Sequence, residues 1–418
     1  MSKMSEPLRE LFKVSQSTGK LQVWWGWTED EKVLCSWGDI GGKMQTKEYS
    51  AEGKNIGRSN ETSSAEQAKV ELQAMYQSQV DNKHYMATQE QALESAEVCL
   101  EPRKVQNYKD HSHKLPQTCI SFVKYNGSRG CIVNGNLYSK IGRIEDIKVN
   151  HIKNAVDALS AAGVEDLDCE VYAHGLPLQR IRSAWIKPVK TNKEIIKIAN
   201  ERAKKVGDVV KFSHLETAIT YLNYDPNEDA AKLKLHVFDF PDTTGSVYEE
   251  RIGGFSELQE VISTLNLQDS VVIGEYRVTH SKVDRELFRD EVVAAGYEGL
   301  VHYDPQGIYE FGKRSSNTQK DKPRYDGECK VVSVTSDKNG EGVLSCITSD
   351  ALDNASFKCK MKVERRDGER YERDFNTMKS LIGAWITFSY EELSSAGIPT
   401  KPVGEEERKC DNSGKPQE

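Results

Sequence analysis

The spacing of apolar and polar positions predicts strands and helices in separate blocks, an α+β chain. Within residues 1–90, Leu21, Val23, Trp25 and Trp27 alternate like a half-buried strand, and Val33 to Trp37 predicts the next strand, closing at Gly38. A helix follows, capped by Ser63 or Ser64, with Ala68, Leu72, Met75 and Tyr76 on one face. Residues 91–115 read as a linker and the start of a second domain, because the helical composition from Ala87 to Leu100 is stopped by Glu101-Pro102. A strand carrying Ile120 and Phe122 then ends at Lys124, just ahead of Tyr125-Asn126-Gly127. Ile132 and Val133, then Leu137 and Tyr138, flank Asn134-Gly135-Asn136, a hairpin signature. Ile144, Ile147, Ile152, Val156 and Leu159 recur at helical spacing up to Gly163.

Further along, Leu167, Cys169 and Val171 alternate with Asp168, Glu170 and Tyr172, and Leu233, Leu235, Val237 and Asp239 alternate with Lys234, His236, Phe238 and Phe240; both stretches predict strands. A helix over 283–295 leads into Tyr297-Glu298-Gly299. After Asp326 the pattern becomes short strands between polar turns, over 329–334, 342–347, 357–363 and 384–390, a spacing that fits a five-stranded barrel across 327–405. Residues 406–418 read as a charged, flexible tail.

Composition narrows the class. With 37% hydrophobic and 29% charged residues the chain reads as globular, and no apolar run approaches membrane-spanning length, so a soluble, unexported, cytoplasmic protein is expected. Nine cysteines without a Cys-x-x-Cys pair predict neither a disulfide frame nor a zinc site. The net charge of −8 excludes a coat of cations, yet residues 187–211 hold eight Lys or Arg against three acids around Ile195, Ile196, Ile198 and Ala199. That stretch is either a solvated helix face or a phosphate-tracking surface.

Lys124 is the candidate for chemistry. A lysine leaving a strand into a glycine turn can face a cavity, where desolvation frees its amine for nucleophilic attack; a surface lysine beside a turn is the plainer alternative. The stretch Lys124-Tyr-Asn-Gly-Ser-Arg129 resembles the Lys-x-Asp-Gly-x-Arg motif of the covalent nucleotidyltransferases: polynucleotide ligases, RNA ligases and capping enzymes. Asp168-Cys-Glu170, Phe238-Asp239, Glu298-Gly299 and Lys320-Asp-Lys322 follow in that superfamily's order, and the likeness, over about residues 100–405, is nearest to small ATP-dependent DNA ligases of the bacteriophage kind.

The resemblance implies an antiparallel-sheet nucleotidyltransferase domain over 116–326, ATP-grasp-like, followed by an OB-fold barrel. It implies that Lys124 becomes covalently adenylated, that Arg129, Glu170, Phe238, Lys320 and Lys322 hold ATP or AMP, and that Glu298 with Glu170 places Mg²⁺ or Mn²⁺. It also implies a monomer acting on nicked double-stranded DNA, in the host cytoplasm if phage-encoded. RNA ligation by the same chemistry, or a non-catalytic DNA-binding relative, are the alternatives.

Ser139-Lys140 stands where the family has a Ser-Arg or Thr-Arg pair at the phosphate and DNA-facing edge, and Lys401 or Arg408 stands near its closing motif. Asn126 departs from the aspartate of many relatives, removing a carboxylate beside Lys124. In the first domain, Trp37-Gly-Asp-Ile-Gly41, Gly42-Lys-Met-Gln45, Glu66-Gln-Ala68 and Lys83-His-Tyr85 resemble a WGR domain, with Asp39 where that family has arginine. Lys43, Lys54 and Arg58 are then the implied DNA contacts.

Overall fold

The computed structural model describes residues 8–98, 100–337, 340–363, 372–394, 397–412, 415 and 417. The chain divides into two units, one of Met1–Val14, Lys20–Leu93 and Pro323–Glu418, the other of Ser15–Gly19 and Glu94–Lys322.

The N-terminal part of the first unit is a sheet ordered β1 (Leu11–Val14), β2 (Leu21–Glu29), β3 (Lys32–Asp39), β4 (Gln45–Ser50), every pair antiparallel. Helix α1 (Ser64–Lys83) packs on it and starts at a capping box in which Ser63 and Glu66 satisfy each other's backbone N–H groups. Alternation in β2 takes the phase opposite to the one expected only from Trp24 onward: Val23 is buried as expected, but Trp24, Gly26 and Thr28 are buried too, whereas Trp25 and Trp27 are half-buried. Four aromatics within 14 positions made either phase plausible, and Trp24, whose ring meets Tyr76 of α1 edge-on at 6.1 Å, decides it. Helix α2 (Gln89–Val98) follows.

The second unit has two five-stranded sheets around one continuous core. In chain order it contains β5 (Lys104–Asn107), α3 (Tyr108–His111), β6 (Cys119–Lys124), β7 (Ser128–Val133), β8 (Asn136–Tyr138), α4 (Asn150–Ala161), β9 (Leu167–Tyr172), α5 (Leu178–Ile186), α6 (Asn192–Val206), α7 (Leu215–Leu222) and β10 (Lys234–Asp239). It continues through α8 (Tyr248–Ile252), α9 (Phe255–Thr264), β11 (Val271–Ile273), β12 (Tyr276–Thr279), α10 (Lys282–Ala294), β13 (Gly299–Tyr303) and β14 (Arg314–Asp321). One sheet runs β11-β10-β9-β7-β8, the other β12-β6-β13-β14-β5, antiparallel except for β10–β11 and β14–β5. Phe122, Val171, Leu235, Val237 and Leu300 belong to the shared core.

The hairpin expected at Asn134-Gly135 forms, with both residues at positive φ as a two-residue turn of this kind requires. The helix expected from Ile144 begins only at Asn150; Ile144 instead bridges Tyr138 and stays exposed, so it shares the helical spacing without the helix. The stretch read as linker supplies β5, which completes the second sheet beside β14.

In the remainder of the first unit, β15 (Tyr325–Ser336), β16 (Gly342–Thr348), β17 (Ser356–Met361), β18 (Trp385–Tyr390) and β19 (Val403–Arg408) close a barrel, with α11 (Phe375–Met378) between β17 and β18. Here the expected flexible tail needs correcting: residues 406–408 belong to β19, which pairs with both β17 and β18. Its acids read as solvated, yet Glu405 accepts from Ser389 and lies 3.0 Å from Lys362, so they mark the outer side of a closing strand. Residues 413, 414, 416 and 418 of that tail lie outside the described residues. The eight described cysteines are all free thiols.

Candidate active site

The second unit holds a cleft of about 1050 Å³ lined by Lys124, Arg129, Lys140, Glu170, Phe238, Lys320 and Lys322. Local sequence explains how they meet. Strand β6 is buried along its length and releases only its last residue, Lys124, toward the cleft. The turn after it presses on β9: a Cβ on Gly127 would stand 2.3 Å from the Val171 carbonyl oxygen and 2.8 Å from Glu170 Cγ. Only glycine fits there, and the close approach brings Glu170 beside the turn.

Across the second sheet, Lys124 pairs in register with Gly299, and the Glu298 N–H donates to the Lys124 carbonyl at 3.1 Å. Gly299 has φ +140° and its missing Cβ would lie 2.2 Å from the Asp321 carbonyl oxygen, so the step from Glu298 into β13 is closed to other residues. The neighbours of the two functional residues lock together as well. The Tyr125 ring packs against Tyr297 at 5.8 Å and against His236 at 4.4 Å, while burial and nearby Lys234 push His236 down to about 4, leaving it neutral.

Glu298 is the electrostatic centre. One of its oxygens lies 2.6 Å from Lys124 Nζ and the other accepts from Lys322 Nζ. Burial opposes ionisation of this carboxyl, but the two ammoniums outweigh it and hold it below the ordinary glutamate range. Glu170 behaves in the opposite way: burial pushes it up to about 7, although Lys124 and Arg129 pull it down. Lys320 and Lys322 line the cleft together, while Asp321 between them turns to His302 and Arg289. That is the period-two alternation expected of a strand.

Arg129 is more committed than the sequence implies. It forms a two-pronged ion pair with fully buried Asp168, donates to the Arg103 carbonyl at 3.1 Å, and its guanidinium sits 5.3 Å from the Phe238 ring centroid. It therefore both borders the cleft and braces Phe238. Asp239, next to Phe238, is held by Arg103 at 2.6 Å and Arg251 at 2.9 Å. Arg103, Lys104 and Arg182 also line the cleft and were not singled out in the sequence. Arg103 carried a signal in hindsight, as a cation between Pro102 and an edge strand; Arg182 lay hidden in an ordinary amphipathic helix.

The other candidates fall in the first unit. Lys43 and Arg58 are exposed, Lys54 is paired with Glu71 at 2.9 Å, and Asp39 accepts from Gln22 at 2.9 Å. Lys401 pairs with Glu391 at 2.6 Å, and Arg408 stands 3.9 Å from Glu328. Among the described residues no group of three or more His, Cys, Asp or Glu converges on a metal position. Glu298 and Glu170 do supply hard oxygen donors, which suits an ion such as Mg²⁺ that takes one or two carboxylates and fills its shell with water and phosphate oxygens.

Comparison with known proteins places this geometry. A DNA ligase of Haemophilus influenzae is 28% identical over 189 residues, 45% of this chain and 65% of that protein, so the chain spans just under two thirds of this relative's length. Among solved structures, one from work on Lig E DNA ligases, described as DNA binding with a minimal scaffold, matches with a TM-score of 0.50 at 17% identity. It covers 74% of this chain and 99% of its own. Another, Pmar-Lig_Pre, gives a TM-score of 0.52 at 18% identity, covering 74% of this chain and 68% of its own. At such identities these two likenesses are of fold. The sequence profile of the ATP dependent DNA ligase domain matches residues 102–322, more than half the chain and the span that builds the cleft, and the protein belongs to that family.

Proposed function

We propose that the protein is an ATP-dependent DNA ligase that seals nicks between a 3′-hydroxyl and a 5′-phosphate. The observation that carries the reading is the position of Lys124 Nζ, in a cleft it shares with Glu170, Phe238, Lys320 and Lys322 and in contact with Glu298. In the first step the Lys124 amine attacks the α-phosphorus of ATP; the N–P bond forms as the bond to pyrophosphate breaks, and AMP stays on the lysine. The amine must lose a proton, and Glu298 at 2.6 Å is an acceptor within reach. Lys320 and Lys322 offset charge building on the phosphoryl oxygens. Phe238 covers a face of adenine, and Glu170 accepts from ribose hydroxyls. A divalent ion held by Glu298, with Glu170, would neutralise phosphate charge. AMP then passes to the 5′-phosphate of the nick, and the 3′-hydroxyl displaces it.

On this reading the barrel is an OB fold and the first domain is WGR-like. The closed five-stranded sheet supports the one, and the four-stranded sheet backed by α1, with Lys43 and Arg58 exposed, supports the other. The substrate is nicked double-stranded DNA, the metal Mg²⁺ or Mn²⁺, and the enzyme a monomer of the cytoplasm. The test is incubation with α-labelled ATP, followed by nicked DNA or nicked RNA. Label should attach to the wild-type chain and not to Lys124→Ala, and should lead to sealed DNA. Label retained by the Lys124→Ala chain would remove the nucleophile, and sealing of RNA alone would move the assignment to RNA ligation.

A further inference from the structure

The paired helices α6 and α7 form a small body of their own. Ile195, Ala199, Ala218 and Leu222 are its buried core, and Ile196, Phe212, Leu215 and Ile219 pack around them. Its root is fixed: the Lys190 N–H donates to Asn227 Oδ1 at 2.7 Å, the Asn227 amide donates back to the Lys190 carbonyl at 3.2 Å, and Arg180 pairs with Asp229. Its loop is fixed too, since the Asn200 side chain bonds both the N–H and the carbonyl of Phe212, at 2.8 and 3.0 Å. The body starts where α5 ends, and α5 lines the active-site cleft with Leu178, Arg182, Trp185 and Ile186.

Along α6, Lys193, Lys197 and Lys204 stand four and seven residues apart, which is one helix face. With Lys211 from the loop they border a shallow groove of about 740 Å³ whose apolar part is Ile196, Val209 and Val210. Val209 is 99% exposed. The acids here are few: Asp208 accepts from the Tyr221 hydroxyl at 2.6 Å, and Glu201 lies 3.8 Å from Lys197. In a chain of net charge −8, such a cationic strip is complementary to an anionic partner. The lysines climb the helix in steps of about 6 and 10 Å, so as a row they can meet several phosphates along one backbone, which are spaced about 3.4 Å apart along the duplex axis. No aromatic ring lines the groove, so it lacks the stacking platform that unpaired bases use.

We propose that this groove binds the sugar-phosphate backbone of duplex DNA flanking the nick, an electrostatic clamp separate from the nucleotide cleft. The proposal rests on the ligase reading above, and its test separates the two. Full-length K193E/K197E/K204E, with K193Q/K197Q/K204Q beside it, is compared with wild type for labelling by α-labelled ATP and for affinity to nicked duplex between 50 and 200 mM salt. Both variants should label as wild type does. Their duplex affinity should fall at least about tenfold at low salt, and the slope of log affinity against log salt should flatten by about one for each lysine lost. Unchanged affinity and slope with normal labelling would overturn the clamp. An equal loss on single-stranded DNA would also overturn it, as the groove would then not be duplex-directed. Failure of the wild-type chain to label would instead overturn the ligase reading.

Discussion

Glu298 faces two ammonium groups, and each can be removed separately. On the ligase reading, Lys322→Met leaves Lys124, the proposed nucleophile, paired with Glu298 while deleting a cation from the side of the cleft that would hold the phosphates. Loss of one preorganised electrostatic partner typically slows chemistry 10²–10³-fold. Single-turnover formation of the lysyl-AMP adduct should fall by about that factor, with ATP affinity changed less. Glu170 gives a pH signature. Its folded-state value, about 7, lies above the ordinary 4.5, so folding takes up a proton between those two values. The associated stability is present below about 4.5 and lost as pH rises through 7. Melting curves from pH 4.5 to 8 should show wild type losing more stability than Glu170→Gln; parallel curves would show that the carboxyl is not held neutral. Roles like these were only partly legible in the sequence. Lys124 sits at the end of a readable strand, so its release from the buried strand could be foreseen. Arg129 could not be seen as half-consumed by Asp168, because that pairing spans 39 positions.

At the scale of elements, the turn Tyr125-Asn126-Gly127 sets the spacing between β6 and β9. Gly127→Ala places a methyl against the Val171 carbonyl, which cannot give way without moving the strand that carries Glu170. Such overpacking costs typically about 1–3 kcal/mol. Thermal denaturation should show a loss in that range, with the chain still folded and adduct formation reduced more steeply than stability. Strand β10 was legible and the start of α4 was not, for a physical reason. In β10 one side is buried and the other half-open, so burial follows the sequence alternation residue by residue. Ile144 and Ile147 match a helical period by coincidence, while Ser139 and Gly142 close a turn upstream through backbone and hydroxyl bonds that no apolar count registers. Strand β19 was missed because polar outer faces look like solvated tails.

Across the whole molecule, cations gather against the overall charge in the cleft around Lys124 and along α6, and the first domain exposes Lys43 and Arg58. The proposed WGR-like role predicts that K43E/R58E, in the full chain, weakens binding to nicked duplex and flattens its salt dependence while leaving adduct formation intact. Equal binding by variant and wild type would leave that domain without a DNA contact at those positions.

The double grip on Glu298 has one more consequence. A hollow ringed by lysines would ordinarily fill with whatever small anion the cell offers, orthophosphate above all. Here a tethered carboxylate already offsets part of that charge, so a visitor gains less from Lys124 and Lys322 than two bare ammoniums would give. On the ligase reading, a nucleoside triphosphate, anchored also by its base and sugar, keeps a second hold that a lone phosphate lacks.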